Sequence, residues 1–169
     1  MNTIPSIFNE RQINMTVLGG TEAAPGVKMN VSVVLINSRG SHFRIQILEN
    51  LMKCGFASII SLEPDPNNYS IEEFVSRFPS VRFIVPLDKV TDGDLVNIGI
   101  CECRSDYVLV LRDSLKITPS ILTPNLAENI IAAAGENYCI VPRLVTPDLQ
   151  GLPIRFIPFA EKAKLRVET

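Results

Sequence analysis

The stretch VSVVLINSRGSHFRIQILENLMKCGFASIISLE (residues 31–63) decides the fold. Residues 31–36 form a nearly continuous β-branched run, the pattern of a strand covered on both faces. Residues 37–41 are polar and include Gly40. Phe43, Ile47, Leu48, Leu51 and Met52 then recur at helical spacing, and Gly55 falls where a left-handed C-terminal cap belongs. Residues 57–62 read as a second strand. A strand, a helix and a second strand joined so tightly imply parallel pairing through a right-handed crossover.

The unit repeats along the chain. Ser70 with Glu73 three residues later has the form of a capping box, opening a short helix that carries Phe74, Val75 and Phe78 before Pro79. Residues 81–85 make a third strand. Asp92 is placed to cap a helix to about Cys103, with Leu95, Val96, Gly99, Ile100 and Cys103 inward. Residues 107–111 make a fourth strand. Thr123-Pro124 starts another helix that ends at Gly135. Residues 138–141 read as a fifth strand, and residues 154–157 as one more. Residues 1–30 form a lead segment with a short strand near residues 15–18, and residues 31–169 form one α/β domain. The expected architecture is a three-layer sandwich with a mainly parallel sheet.

Composition bounds the function. The chain has 169 residues, a formal net charge of −2 and 46% hydrophobic content. That is about one domain with a real core, and it lacks the basic face that broad nucleic-acid binding needs. No apolar run has membrane-spanning length, and the N-terminus lacks a signal-peptide pattern, so a cytoplasmic protein is expected. Cys54, Cys101, Cys103 and Cys139 make no C-x-x-C pair, and His42 is the single histidine. Buried free thiols are expected rather than a zinc site. The G-x-G-x-x-G and G-x-x-x-x-G-K-[ST] phosphate loops are absent, as is a G-x-S-x-G nucleophile elbow.

Ligands of such sheets bind outside the carboxyl ends of the strands. Here those ends feed residues 37–41, 63–68, 86–93 and 112–116, all polar loops. The last begins with Arg112-Asp113-Ser114, a polar triplet delivered by an apolar strand.

VSVVLINSR (31–39) resembles the opening strand of the family 2 glycosyltransferases, of GT-A fold, typically VSVVIPTYNR. IISLEPD (59–65) sits where that family has a strand ending in paired aspartates, and VRFI (81–84) matches its third strand. DLVNIGICECRSDYVLVLRDS (94–114) resembles its stretch AxNxGIxxAxGDYVxFLDxD, with Asn97, Gly99, Ile100, Asp106, Tyr107 and Leu111 in place. The resemblance runs from Val31 to about Pro142. It implies transfer of a sugar from a nucleotide-sugar donor, a UDP-sugar first, to an acceptor hydroxyl. Under it, Asn37, Ser38 and Arg39 line the donor and Glu63 reads the base. Lys89, Thr91 and Asp92 approach the diphosphate, which Arg112, Asp113 and Ser114 face.

The resemblance also implies a divalent metal, magnesium or manganese, bound by D-x-D. Arg112 takes the first aspartate's place, Asp113 the middle and Ser114 the last, which leaves Asp113 as the metal-ligand candidate. A guanidinium in the first slot repels the ion. Either Arg112 replaces the metal and pairs with the diphosphate, or it makes a surface ion pair with Asp113 or a neighbour. Gly99 and Asn97 have packing and backbone-bonding roles as their simpler reading. The acceptor-site base of inverting GT-A enzymes has no recognisable counterpart among Asp148, Glu161 and Glu168. The domain therefore reads as the donor half of a transferase, truncated before its acceptor half, or as a non-catalytic relic that binds a nucleotide, a protein partner or its own copies.

Overall fold

The computed structural model describes residues 13–22, 26, 29–38, 41–64, 70–113 and 123–134. The expected strands at 138–141 and 154–157 lie outside these residues, as do Arg39, Ser114, Cys139 and the three acidic residues near the end. The side chains of His42 and Phe43 also lie outside. The chain divides into two units, Met1–Pro124 and Asn125–Thr169.

The first unit is α/β. Five strands, β1 (Met15–Gly19), β2 (Met29–Ile36), β3 (Phe56–Leu62), β4 (Val81–Pro86) and β5 (Tyr107–Arg112), form one sheet in the order β1-β4-β3-β2-β5. The four later strands are mutually parallel, and β1 lies antiparallel on β4. The strand near residues 15–18 is thus a member of the sheet. Helices α1 (Ser41–Cys54), α2 (Ile71–Arg77) and α3 (Asp92–Glu102) connect the parallel strands. A fourth helix, α4 (Pro124–Ala134), lies almost wholly in the second unit and starts with proline at its first position.

The period-2 pattern of the strands assigns a face to each helix. Val34, Ile36, Ile60, Leu62 and Ile84 form one buried cluster with Leu95 of α3. Gly99 makes that contact close, because a Cβ there would collide with the Val34 side chain. The packing role expected of Gly99 is the one found. Val33, Leu35, Ile59 and Phe83 point to the other face. Phe74 of α2 meets Phe83 edge-on, with ring centroids 6.5 Å apart. Leu48 and Leu51 of α1 are fully buried. Helices on both faces of a mainly parallel sheet are compatible with a three-layer arrangement.

Helix ends depart from expectation in two places. Ser70 is the N-cap of α2, but its hydroxyl makes no capping bond and donates instead to Glu72, at 3.1 Å. The reciprocal capping box occurs at α3. Thr91, not Asp92, is the cap: its Oγ1 accepts from Asp94 N–H, and Asp94 Oδ2 accepts from Thr91 N–H. Aspartate serves at N3 because its short arm still reaches the cap N–H, at 2.8 Å. Ile100, expected inward, is 45% exposed, and Ile98 packs on the core in its place. Gly55 ends α1 with φ 83°, the left-handed cap expected of it. Cys54 is buried and Cys103 half-buried, whereas Cys101 is exposed. No helix among the described residues is long and apolar enough to cross a membrane.

Candidate site at the sheet's switch point

The chain winds outward from β2 through β3 to β4, then returns across the sheet so that β5 lies on the opposite side of β2. The carboxyl ends of β2 and β5 therefore flank the point where the strand order reverses, the position at which open α/β sheets bind their ligands. Backbone bonds continue the ladder one residue past three strands. Asn37 N–H donates to Leu62 O, Glu63 N–H to Ile84 O and Asp113 N–H to Ile36 O. Asn37, Glu63 and Asp113 are thus held at fixed positions along one rim.

Side-chain contacts join most of the expected site residues. Ser38 N–H donates to Asp113 Oδ2 and Ser38 Oγ–H to Asp113 Oδ1, each at 2.7 Å. Asn37 Nδ2 donates to Glu63 Oε1 at 2.9 Å, to Ser61 Oγ and to Leu62 O. Arg112 Nη2 donates to Asp92 Oδ2 at 2.6 Å. Lys89 and Thr91 lie on the loop between β4 and α3, at the same edge of the sheet. Ser114 and Arg39 lie outside the described residues.

Glu63 and Asp113 differ from exposed loop carboxylates. Glu63 is fully buried, and its Oε2 meets Arg44 Nη1 at 3.0 Å while its Oε1 accepts from Asn37 and Ser61. A carboxylate reaches such a place only when paired and hydrogen-bonded. The Arg44 guanidinium also lies over the Phe74 ring, 5.4 Å from its centroid. A base contact through Glu63 would have to break this network, so its geometry is that of a residue shaping the rim from beneath. Asp113 is likewise buried, with both oxygens engaged by Ser38.

The triplet alternates across the sheet. Arg112 points to the α3 face and reaches Asp92, while Asp113 points to the α1 face and reaches Ser38. Two consecutive residues of a strand cannot face one ion together. Among the described residues no group of three His, Cys, Asp or Glu side chains could hold a metal. A single carboxylate whose two oxygens are both engaged by Ser38 does not suit a divalent ion.

Arg44 and Ser61 complete the cluster and were not among the expected site residues. Both had a signal. Arg44 stands four and seven residues before Leu48 and Leu51, a charge in the inward register of α1. Ser61 stands two residues before Glu63 on the same strand face. Asn37 Oδ1 is buried and has no hydrogen-bond partner among the described residues. No protein-family description, no curated protein and no solved structure matches the chain.

Proposed function

We propose that this chain is a GT-A-like domain that binds a nucleoside-diphosphate sugar at the switch point and serves in sugar transfer to an acceptor hydroxyl. The observation that carries the reading is the meeting of β2 and β5 through Ser38 and Asp113 where the winding reverses. The resemblance in residues 94–114 supports it. In this reading Asn37 and Ser38 line the donor, and the buried Glu63–Arg44 pair holds their loop in place. Arg112 substitutes for an ion: its guanidinium neutralises the diphosphate, leaving Asp92 to do so. A fixed cation there stabilises charge on the departing diphosphate.

A non-catalytic reading is favoured by one observation. Each rim carboxylate among the described residues has a partner: Glu63 with Arg44, Asp88 with Asn14 N–H, Asp92 with Arg112, Asp94 with Thr91 and Asp113 with Ser38. A general base needs a carboxylate free to take a proton. The domain then binds the nucleotide without turning it over.

Calorimetry with UDP-sugars, with and without manganese, tests the proposal. Metal-independent binding that disappears in Arg112→Ala supports it. Absence of binding to uridine, guanosine, thymidine and cytidine diphosphates alike overturns it. Binding without turnover of any acceptor selects the non-catalytic form.

A further inference from the structure

At the opposite edge of the sheet lies a second polar feature. A cavity of about 350 Å³ opens where β2, β3 and β4 begin, below the last turn of α3. That volume lies in the range of small-ligand sites. It is separated from the rim by the length of β2, about 20 Å from Ser32 to Ser38 at ~3.3 Å per residue. No step of sugar-nucleotide binding uses it.

Its floor is a line of three hydroxyls. Ser105 Oγ is 2.5 Å from Ser32 Oγ, which is 2.7 Å from Ser58 Oγ. Ser32 is completely buried. Serines in the middle of two parallel strands weaken an apolar face, and Ser32 and Ser58 are register partners on it. Ser105 has one hydrogen for two acceptors, Ser32 Oγ and Tyr107 O at 2.9 Å: turned to Ser32 it leaves the Ser58 hydrogen to donate onward, and turned to Tyr107 O it reverses the line.

One guanidinium donor of this cavity lacks an acceptor among the described residues. Arg82 Nη2 pairs with Glu102 Oε2, yet Arg82 Nε is buried with no partner among the described residues. An unmet buried donor is costly, and a ligand oxygen would relieve it. Arg104 lines the same cavity, is exposed, and enters none of the ion pairs among the described residues. Two carboxylates oppose an anion here: Glu102, already engaged by Arg82, and Glu22, exposed at the mouth.

We propose that this cavity is a binding site for a small oxyanion, with Arg82 and Arg104 as its cationic jaws and the serine hydroxyls as its floor. Forked guanidinium donors with hydroxyls beside them suit the several acceptor oxygens of a phosphate or carboxylate.

The test is a titration of the full chain with inorganic phosphate, followed by amide NMR shifts, with glucose as the neutral probe. Phosphate shifts the amides of Ser32, Ser58 and Ser105 and leaves Ser38 and Asp113 unmoved, and glucose does neither. Arg104→Gln, at an exposed side chain, weakens phosphate binding about tenfold, the loss expected of one charge-assisted hydrogen bond. Arg82→Gln weakens it further, and if that variant fails to fold, Arg104→Gln decides alone. Phosphate shifts confined to the Arg112–Asp113 rim, equal binding of glucose, no phosphate binding, or unchanged affinity in Arg104→Gln each overturn the site. Nucleoside-diphosphate binding at the rim is read separately, so either site can fail without the other.

Discussion

Ser38 closes the switch point by giving Asp113 two hydrogen bonds, from its backbone N–H and its hydroxyl, both 2.7 Å long. The residues stand 75 apart in sequence and follow neighbouring parallel strands, β2 and β5. Their bonds fasten the loop after β2 to the end of β5 at the place where the winding reverses.

Asp113→Asn tests this fastening. The amide oxygen keeps one acceptor, but the NH2 group then faces a donor. Loss of a charge-assisted bond at a buried site predicts destabilisation of about 1.5–3 kcal/mol. Ser38→Ala keeps the backbone bond and should cost about 1 kcal/mol. Urea unfolding of both variants checks the order, and equal small effects would mean that the bonds are not formed in solution.

The Arg44–Glu63 pair predicts a larger loss. Glu63→Gln leaves the Arg44 charge buried without its counter-charge, and breaking a buried pair at one partner costs about 3–5 kcal/mol. Arg44→Met strands the carboxylate similarly. The double variant Arg44→Met/Glu63→Leu should recover much of this, since removing both charges is often close to neutral. A double-mutant cycle by chemical denaturation measures the coupling, and additive losses would contradict a direct pair.

Gly99→Ala places a methyl group against Val34, which is fully buried and stiff at χ1. Overpacking there predicts a loss of about 1–3 kcal/mol. Val34→Ala in the same background should relieve part of it. A stable Gly99→Ala protein would show that α3 stands farther from the sheet.

Thiol reactivity should separate the cysteines. Burial pushes the Cys54 thiol up, and burial is the main cause of the same rise at Cys103. Cys101 is exposed. Among the three described cysteines, labelling of the native protein should therefore begin at Cys101, with Cys54 reacting mainly on unfolding. A raised folded-state pKa favours the native state most below the unfolded thiol's pKa. That contribution is lost as pH rises through the folded value, so Cys54→Ala should flatten the alkaline fall in stability. Prompt labelling of Cys54 in the native state would contradict its placement.

Much of the fold is legible in the residues because the core strands are nearly pure. The run at residues 31–36 can only be a strand covered twice, and each following β/α unit inherits its direction. Boundaries were less legible. Ser70 and Glu73 have the right types for a capping box, but Ser70 turns its hydroxyl to Glu72, and the box forms instead at Thr91 and Asp94. The rim could be placed from the strand ends alone, since position after a parallel strand is topological. What each rim residue touches could not. Glu63 reads as a loop carboxylate until Arg44 is seen beneath it, and that contact joins a helix to the next strand across 19 residues. Alternation along β5 does foretell that Arg112 and Asp113 part to opposite faces. Their partners, Asp92 and Ser38, come from separate connections that only the folded sheet brings together.

Arg112 separates stability from binding. Its pair with Asp92 is largely exposed, with side chains 48% and 67% accessible, so Arg112→Ala should cost no more than ~1 kcal/mol. If its guanidinium meets the diphosphate, the same variant should lose about tenfold or more in affinity for a nucleoside diphosphate. Equal losses in both, or neither, would remove it from the donor site.

The most direct measurement is a residue-resolved amide NMR titration of the full chain with uridine diphosphate in the absence of metal. Ligand at the switch point should shift Asn37, Ser38, Arg112 and Asp113 together, saturating with one common affinity. Silence at these four amides, or shifts confined to the other end of the strands, would contradict it.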